Sequence, residues 1–297
     1  MRILITGSNG LLGQKLVDYC TSNKIIFLAT SLGNNRNSKC PENRFKSLDV
    51  TNLNQIDEVC SDFKPTHIIN TAALTNVDQC ENDRNKCEKI NVTAVGYLLD
   101  VAQKHNCHLQ QLSTDFIFDG EKGNYLETDQ PNPLNEYGKS KLKAEELILN
   151  AGYDNYSIVR TTVVYGVAEN LSKSNIVLWA LSELKKKNQL TIVNDQFRAP
   201  TFANDLANGC MKIIEKDKQG IFNIAGPKTY SIHELISQVA EYLDVPKGLV
   251  VPINSKTLNQ TAKRPKNSGL NLIKAKKHLD YQPTSFKSSL FLIDVEN

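Results

Sequence analysis

The chain has no apolar run of the ~20 residues that a membrane-spanning helix needs, so no membrane partner is expected. Its start, Met1-Arg2-Ile3-Leu4-Ile5, passes straight into a glycine loop. It lacks the long apolar region and cleavage site of a secretory signal. No Cys-x-x-Cys pair occurs. The seven cysteines, at 20, 40, 60, 80, 87, 107 and 210, are scattered and odd in number, which fits reduced thiols in a cytoplasm better than a disulfide framework. The five histidines show no metal-ligand spacing; His105 and His108 read as surface positions, and no metal site is expected. Charge of one sign is not in excess. A net charge of +3 without an aromatic-interleaved basic stripe gives no reason to expect nucleic acid as a partner. What remains is ordinary: 40% hydrophobic and 23% charged residues over 297 positions, enough for one large domain or two smaller ones.

The first ordered signal is strand, glycine turn, helix. Residues 2–6 form a short β-branched run, followed by Gly7-Ser8-Asn9-Gly10-Leu11-Leu12-Gly13 and a helix pattern through Leu16, Val17 and Tyr19. In that context glycines bind phosphate: Gly7 allows the tight turn, Gly10 lets a pyrophosphate approach the backbone, and Gly13 lets helix pack on strand. The spacing is G-x-x-G-x-x-G. A second strand, Ile25 to Ala29, is followed by no acid before Ser38, where an NAD site usually places one for the ribose 2′-hydroxyl. Ser31 and Arg36 suit a 2′-phosphate instead, which favours NADP(H) while leaving NAD(H) open; Arg36 as a plain loop cation is the alternative.

Further strands are expected at 45–48, 66–70, 108–112 and 156–160, alternating with helices. That alternation predicts an α/β chain with a doubly wound parallel sheet. Asp49 and Val50 follow the third strand; Asp49 is placed either to accept from an adenine amino group or to cap a helix. Thr71, Ala72 and Ala73 are small residues at the fourth strand's tip, where a cofactor needs room. A long helix spans about 84–105. From about Gly166 the regularity breaks, with a helix at 174–187, a strand at 190–193, a helix at about 204–214 and a strand at 221–224. Ser231-Ile232-His233-Glu234 is a capping box. Lys274, Lys276 and Lys277 read as a solvated helix face.

Tyr137 and Lys141 open another helix and, four residues apart, share one face. A cation beside a phenol favours its ionised form and lowers a pKa that starts near ~10. The pair is therefore suited to proton transfer, although the same spacing is common on solvated helices. Ser113-Thr114-Asp115 sits at the tip of the fifth strand, where ligand-facing groups belong.

Glycine loop, strand-tip Thr114, Tyr137 and Lys141 together resemble the set used by short-chain dehydrogenase/reductases of the extended branch, over essentially the whole chain. Within that branch, Ser113 to Gly120 resembles a motif of the dTDP-4-dehydrorhamnose reductases. So do Asn70-Thr71-Ala72-Ala73 with Val77-Asp78, Asp195-Gln196-Phe197 with Ala199-Pro200-Thr201, and Arg264-Pro265 with Asn267-Ser268. The resemblance implies a Rossmann domain over 1–165, with returning segments at about 200–225, and a smaller, mainly substrate-binding region over 166–297. It implies reduction of a 4-keto nucleotide sugar: hydride from the nicotinamide, a proton from Tyr137, Lys141 holding the tyrosine pKa low, and Thr114 on the substrate oxygen. It adds Asn91 to the cofactor site, with a packed helix Asn as the structural alternative, and places Asp115, Phe116, Val163, Asn175, Gln196, Pro200, Thr201 and Arg264 around the sugar nucleotide.

Departures from the family pattern qualify this. Lys15 stands where members with a metal-bridged dimer carry Glu, so an oligomer of that kind is not expected. Phe116 replaces a frequent Tyr, Val163 a frequent Trp, and Gly269 an Arg, which leaves the sugar less defined than the reaction. A 4,6-dehydratase needs an Asp-Glu pair after the Thr, and Phe116 removes half of it. An epimerase remains an alternative. So does a non-catalytic NADP-binding subunit resembling the methionine adenosyltransferase β subunit.

Overall fold

The computed structural model of the chain describes residues 1–171, 174–258 and 260–296. Seven strands form its central sheet: β1 (Arg2–Thr6), β2 (Ile26–Ser31), β3 (Phe45–Ser47), β4 (His67–Asn70), β5 (His108–Thr114), β6 (Tyr156–Thr161) and β7 (Gly220–Asn223). Their spatial order is β7-β6-β5-β4-β1-β2-β3. Every neighbouring pair is parallel, with Ile3 facing Phe27 on one side and His67 on the other. The chain steps from β1 out to β3, then crosses back to β4 and builds the other half. Strand order therefore reverses between β1 and β4, and an open parallel sheet binds its ligand at such a switch point.

Parallel strands covered on both faces carry continuous apolar runs rather than alternating ones. Ile3, Leu4 and Ile5 are all fully buried, and every position of β5 is buried. One face is covered by the helices Leu11–Ser22 and Ala203–Glu215, which pack together through Leu16, Val17, Leu206 and Met211. The other is covered by Leu53–Phe63, Ala94–His105 and Glu136–Leu149, through Ile56, Val59, Leu98, Ala144 and Ile148.

Several elements depart from the sequence reading. The single helix expected over 84–105 is three pieces: Arg84–Glu88, a π turn over Lys89–Thr93, and Ala94–His105. Such widened turns interrupt the i→i−4 ladder and concentrate at functional sites. His108 is not a surface residue: it is buried, with Nδ1 near Asn155 Oδ1 (3.0 Å) and Nε2 near Ser157 Oγ (2.8 Å). Lys274 also leaves the solvated face assigned to it. Its ammonium donates to Ile221 O (2.7 Å) and lies 4.4 Å from the Phe222 ring centre, which fastens the helix Ile273–Leu279 to β7. Lys276 and Lys277 do remain exposed.

A second core lies outside the sheet. The helices Ile176–Lys185, Ile232–Tyr242 and Phe286–Glu296 enclose Leu181, Leu184, Ile236, Val239 and Leu290, together with the parallel pair Leu190–Val193 and Val250–Ile253. The helix from Ile232 starts with both halves of the capping box at Ser231 and Glu234.

Candidate active site

A cleft of about 910 Å³ opens at the C-terminal edge of the central sheet. Its floor is the glycine turn after β1. Gly7 has φ +70° and lies so close to the β4 tip that a Cβ there would sit 2.6 Å from Ala72 N. A Cβ on Gly13 would sit 2.4 Å from Gly7 O. The turn can therefore close only with glycine at these two points. The helix Leu11–Ser22 that follows has no side-chain cap at Gly10 and no acid in its first turn. Its first amides face the cleft uncovered, and the aligned peptide dipoles favour an anion there.

Around that floor stand Ser31 and Arg36 from the β2 side, Asp49, Val50 and Thr51 from the β3 side, and Thr71, Ala72 and Ala73 from β4. Arg36 is exposed. Asn9 Oδ1 accepts from its backbone N–H (2.9 Å), and its guanidinium makes no ion pair among the described residues. Asp49 Oδ1 accepts from Thr51 N and Thr51 Oγ1, both at 2.8 Å, while Asn52 caps the next helix. The set fits a dinucleotide: an uncapped helix start for the pyrophosphate, small residues beneath the ring systems, and an unengaged cation where a 2′-phosphate would lie.

The other half of the cleft holds Thr114, Asp115, Phe116, Tyr137, Lys141, Val163 and Asn175. The helix Glu136–Leu149 is started by Asn135, which accepts from Gly138 N (2.8 Å), so Tyr137 lies in its first turn. The Tyr137 ring is half-buried and meets Phe116 edge to face at 6.0 Å. Lys141 is 3% exposed and donates to Leu112 O at 2.6 Å. Thr114 Oγ1 accepts from Phe116 N (3.2 Å) and contacts Asp115 Oδ1 (3.1 Å).

The electrostatics correct one expectation. Burial pushes the Tyr137 hydroxyl well above the usual phenol range, and the Thr114 side chain opposes that. Burial also brings Lys141 down to about 8, with Glu145 opposing. Lys141 is not among the groups that move the Tyr137 hydroxyl: burial sets the direction, and the Lys141 ammonium donates to Leu112 O. Tyr137 is held as a protonated phenol.

Behind this pair, Glu145 is fully buried. It accepts from Arg160 Nη2 (2.7 Å) and Ser113 Oγ (2.5 Å), and Arg160 also donates to Glu127 O (3.0 Å). Helix, β5 tip and β6 are thereby tied at one point. Asp115 pairs with Arg198 at 3.6 Å and accepts from Ser268 Oγ; burial pushes its carboxyl up, with Arg198 opposing.

Six of the residues named from sequence do not line the cleft. Ser8 is buried beneath the loop, its Oγ without a hydrogen-bond partner. Asn91 is fully buried in the π turn, where its amide bridges Leu74 N (2.8 Å) and Leu74 O (3.1 Å). It supports the loop that holds Ala72 and Ala73. Thr201 is fully buried and donates to Thr162 O (2.7 Å), and the neighbouring Pro200 packs its carbonyl against Gly226. Gln196 donates to Gln260 Oε1 (3.2 Å), and Arg264 donates to Asp78 Oδ2 (2.7 Å) and Ala262 O (3.0 Å).

Conversely, Lys86, Lys89 and Ile90 line the cleft without having been singled out, as do Thr161, Thr162, Leu171 and Ser174. A lysine pair three apart looks like any solvated helix face, and only the placement of this short helix beside the β4 tip distinguishes it. Val163 carries a signal of another kind. It has φ +40°, a region costing a β-branched residue about 1–3 kcal/mol, and it sits on the cleft wall.

A family model described as "RmlD substrate binding domain" matches residues 1–293. A dTDP-4-dehydrorhamnose reductase of Aggregatibacter actinomycetemcomitans is 34% identical, with 97% of each chain covered. Methionine adenosyltransferase 2 subunit beta of Bos taurus is 30% identical over 91% of this chain and 80% of that one. Among solved structures, the dTDP-4-dehydrorhamnose reductase of Bacillus anthracis in complex with NADP superposes with a TM-score of 0.87 at 27% identity, covering 100% of this chain and 99% of that one.

Proposed function

The chain belongs to the RmlD substrate-binding domain family and is an oxidoreductase of the dTDP-4-dehydrorhamnose reductase type; from that premise we propose that it reduces the C4 ketone of a nucleotide-linked deoxysugar, with Tyr137 as the proton donor. The observation that carries the reading is convergence. Thr114, Tyr137 and Lys141 meet at one end of a cleft whose other end is an uncapped helix start beside an unengaged arginine.

NADPH, when bound, supplies the hydride. Gly7, Gly10 and Gly13 let its pyrophosphate reach the amides of Leu11 and Leu12, and Arg36 with Ser31 receives its 2′-phosphate. Thr114 Oγ1 hydrogen-bonds the sugar's C4 oxygen and orients the carbonyl. As negative charge develops on that oxygen, the Tyr137 hydroxyl gives up its proton. A phenol kept protonated by burial is a ready donor at neutral pH, and an alkoxide is a far stronger base than the phenolate left behind. Lys141, charged below about 8, stabilises that phenolate. Phe116 stands where a dehydratase needs its second acid and instead packs on the Tyr137 ring, which favours ketone reduction over elimination.

The test is turnover. Purified protein should oxidise NADPH in the presence of dTDP-4-dehydrorhamnose or a related 4-keto nucleotide sugar. NADPH binding with no oxidation across such a panel would sink the reductase reading and leave a binding subunit.

A further inference from the structure

Two of the seven cysteines are unlike the rest. Cys80, from the six-residue helix Val77–Asn82, and Cys87, from the five-residue helix Arg84–Glu88, place their sulfurs 2.7 Å apart. A disulfide bond is ~2.05 Å, so the atoms need to close by only about 0.6–0.7 Å to bond. Cys20, Cys40, Cys60, Cys107 and Cys210 are buried thiols whose pKa values burial raises, which makes them poor nucleophiles. Cys87 goes the other way: hydrogen bonding with Cys80 brings it down to about 7, burial opposes, and contacts with Ser140 and Asn91 assist. The same hydrogen bond, with burial, pushes Cys80 up, so Cys87 is the thiolate of the pair and Cys80 the protonated partner.

The surroundings connect this pair to both halves of the cleft. Cys80 Sγ contacts Leu74 O (3.6 Å), and Asn91, 3.5 Å from Cys87 Sγ, holds both backbone groups of Leu74. Leu74 continues the Thr71–Ala73 wall. Cys87 Sγ also lies 3.3 Å from Ser140 Oγ, which donates to the Tyr137 carbonyl (2.7 Å). Lys86, Lys89 and Ile90, on the same turns as Cys87, line the cleft.

We propose that Cys80 and Cys87 are a redox modification site: a dithiol that a peroxide converts reversibly to a disulfide, loosening the cofactor wall and the Tyr137 helix together. In the first step the Cys87 thiolate attacks a peroxide oxygen; an S–O bond forms and the O–O bond breaks, leaving a sulfenic acid, and the departing hydroxide takes up the proton that the Cys87 thiol released on ionising, as one water. Cys80 sulfur then attacks Cys87 sulfur. The S–S bond forms, the S–O bond breaks, and the departing hydroxide takes the Cys80 proton as a second water. Two thiols are oxidised and one peroxide is reduced. Both sulfurs are buried, so the reaction proceeds through opening of the two short helices, whose lengths are far below those stable alone. Once bonded to Cys80, the Cys87 sulfur leaves Ser140 and Asn91, and the contacts on Leu74 and Tyr137 lose their shared support.

The experiment treats the full chain with hydrogen peroxide, then digests it with trypsin under alkylation. Cleavage at Arg84 and Lys86 separates the two cysteines, so a disulfide appears as two peptides held together. The expected result is that linked pair, an NADPH Kd raised about tenfold, and full reversal by dithiothreitol. Cys80→Ser, with Cys80→Ala as a second variant, should bind NADPH like the wild type and be insensitive to peroxide. Absence of the linked peptides overturns the proposal. Linked peptides with unchanged NADPH affinity overturn its coupling to the cleft, as does an equal peroxide response in either Cys80 variant. Any effect on turnover rests on the reductase reading above, whereas the linkage and the NADPH titration do not. A switch in NADPH affinity without sugar reduction would retain this site and discard that reading.

Discussion

The two ends of the cleft are built on opposite principles. At the glycine end, the Leu11 helix has no side-chain cap and the Arg36 guanidinium makes no ion pair among the described residues, and side chains are missing where a ligand must approach. At the sugar end, polar groups are already used by the chain: Arg264 by Asp78, Thr201 by Thr162, Gln196 by Gln260, and Asp115 by Arg198 and Ser268. Open donors over a rigid floor recognise a constant ligand with little reorganisation. A self-satisfied wall chooses its ligand through shape and through the few groups still facing the cleft, such as Phe116, Val163 and Ser174; Asn175 lines the cleft too, but its amide is used by Leu178 N and Gly166 O. The contrast separates a rigid floor with open donors from a wall whose polar groups are spent and whose shape is set by the side chains that line it.

The largest effect belongs to the reaction itself. Tyr137→Phe removes the transferable proton and keeps the ring against Phe116. Turnover should fall by about 10²–10⁴-fold while NADPH affinity stays within about twofold. A stopped assay for sugar reduction, paired with NADPH fluorescence titration, reads both. Normal turnover would take Tyr137 out of its role and leave the sugar end of the comparison without its proton donor.

At the glycine end, Arg36→Ala should weaken NADPH binding by about 10–100-fold, the loss of a charge-assisted contact, with NADH affinity unchanged. Equal losses for both cofactors would mean that the Arg36 side chain holds the loop rather than reading the 2′-phosphate, since its backbone contacts with Asn9 and Asn170 survive the substitution.

The third effect is one of pH. Lys141 is shifted down from the ordinary lysine value to about 8, so its charged form is lost as pH rises through that point. Tyr137 is shifted up and keeps its proton over the same range. In the free enzyme kcat/KM should therefore be flat below about pH 7.5 and fall about tenfold per unit above about 8. Lys141→Arg, charged throughout, should have a lower plateau without that limb. A limb that survives in the arginine variant belongs to another group.

The same division explains what could be read from sequence. The sheet and the cofactor end were legible because they rest on local rules: glycines at fixed spacing, strand tips, and an i,i+4 pair on a helix. The sugar end rests on partners distant in the chain, and no local pattern shows that Arg264 meets Asp78 or that Asp115 meets Arg198. Asn91 shows the choice that was left open: the resemblance put it in the cofactor site, with a packed helix Asn as the alternative, and the structure buries it in a π turn under Leu74. The pKa of Tyr137 failed for a related reason. Spacing alone puts a cation on the same helix face, but it shows neither the depth of burial that sets the direction nor the Leu112 carbonyl that takes the ammonium.

The smallest effect is the most direct attack on the contrast. Arg264 makes a partly exposed ion pair with Asp78, of a kind worth about 0.2–1 kcal/mol, and lies outside the cleft lining. If the sugar end keeps this arrangement in the working enzyme, Arg264→Met should change KM for the nucleotide sugar by about threefold or less and leave kcat in place. Asp78→Asn should do no more, since it breaks the same pair from the other side. A rise in KM of tenfold or more in Arg264→Met, with Asp78→Asn near wild type or improved, would mean that substrate draws the guanidinium away from Asp78. The sugar end would then be a wall that exchanges internal partners for ligand, and its satisfied groups would count as a reserve of contacts held back until the nucleotide arrives.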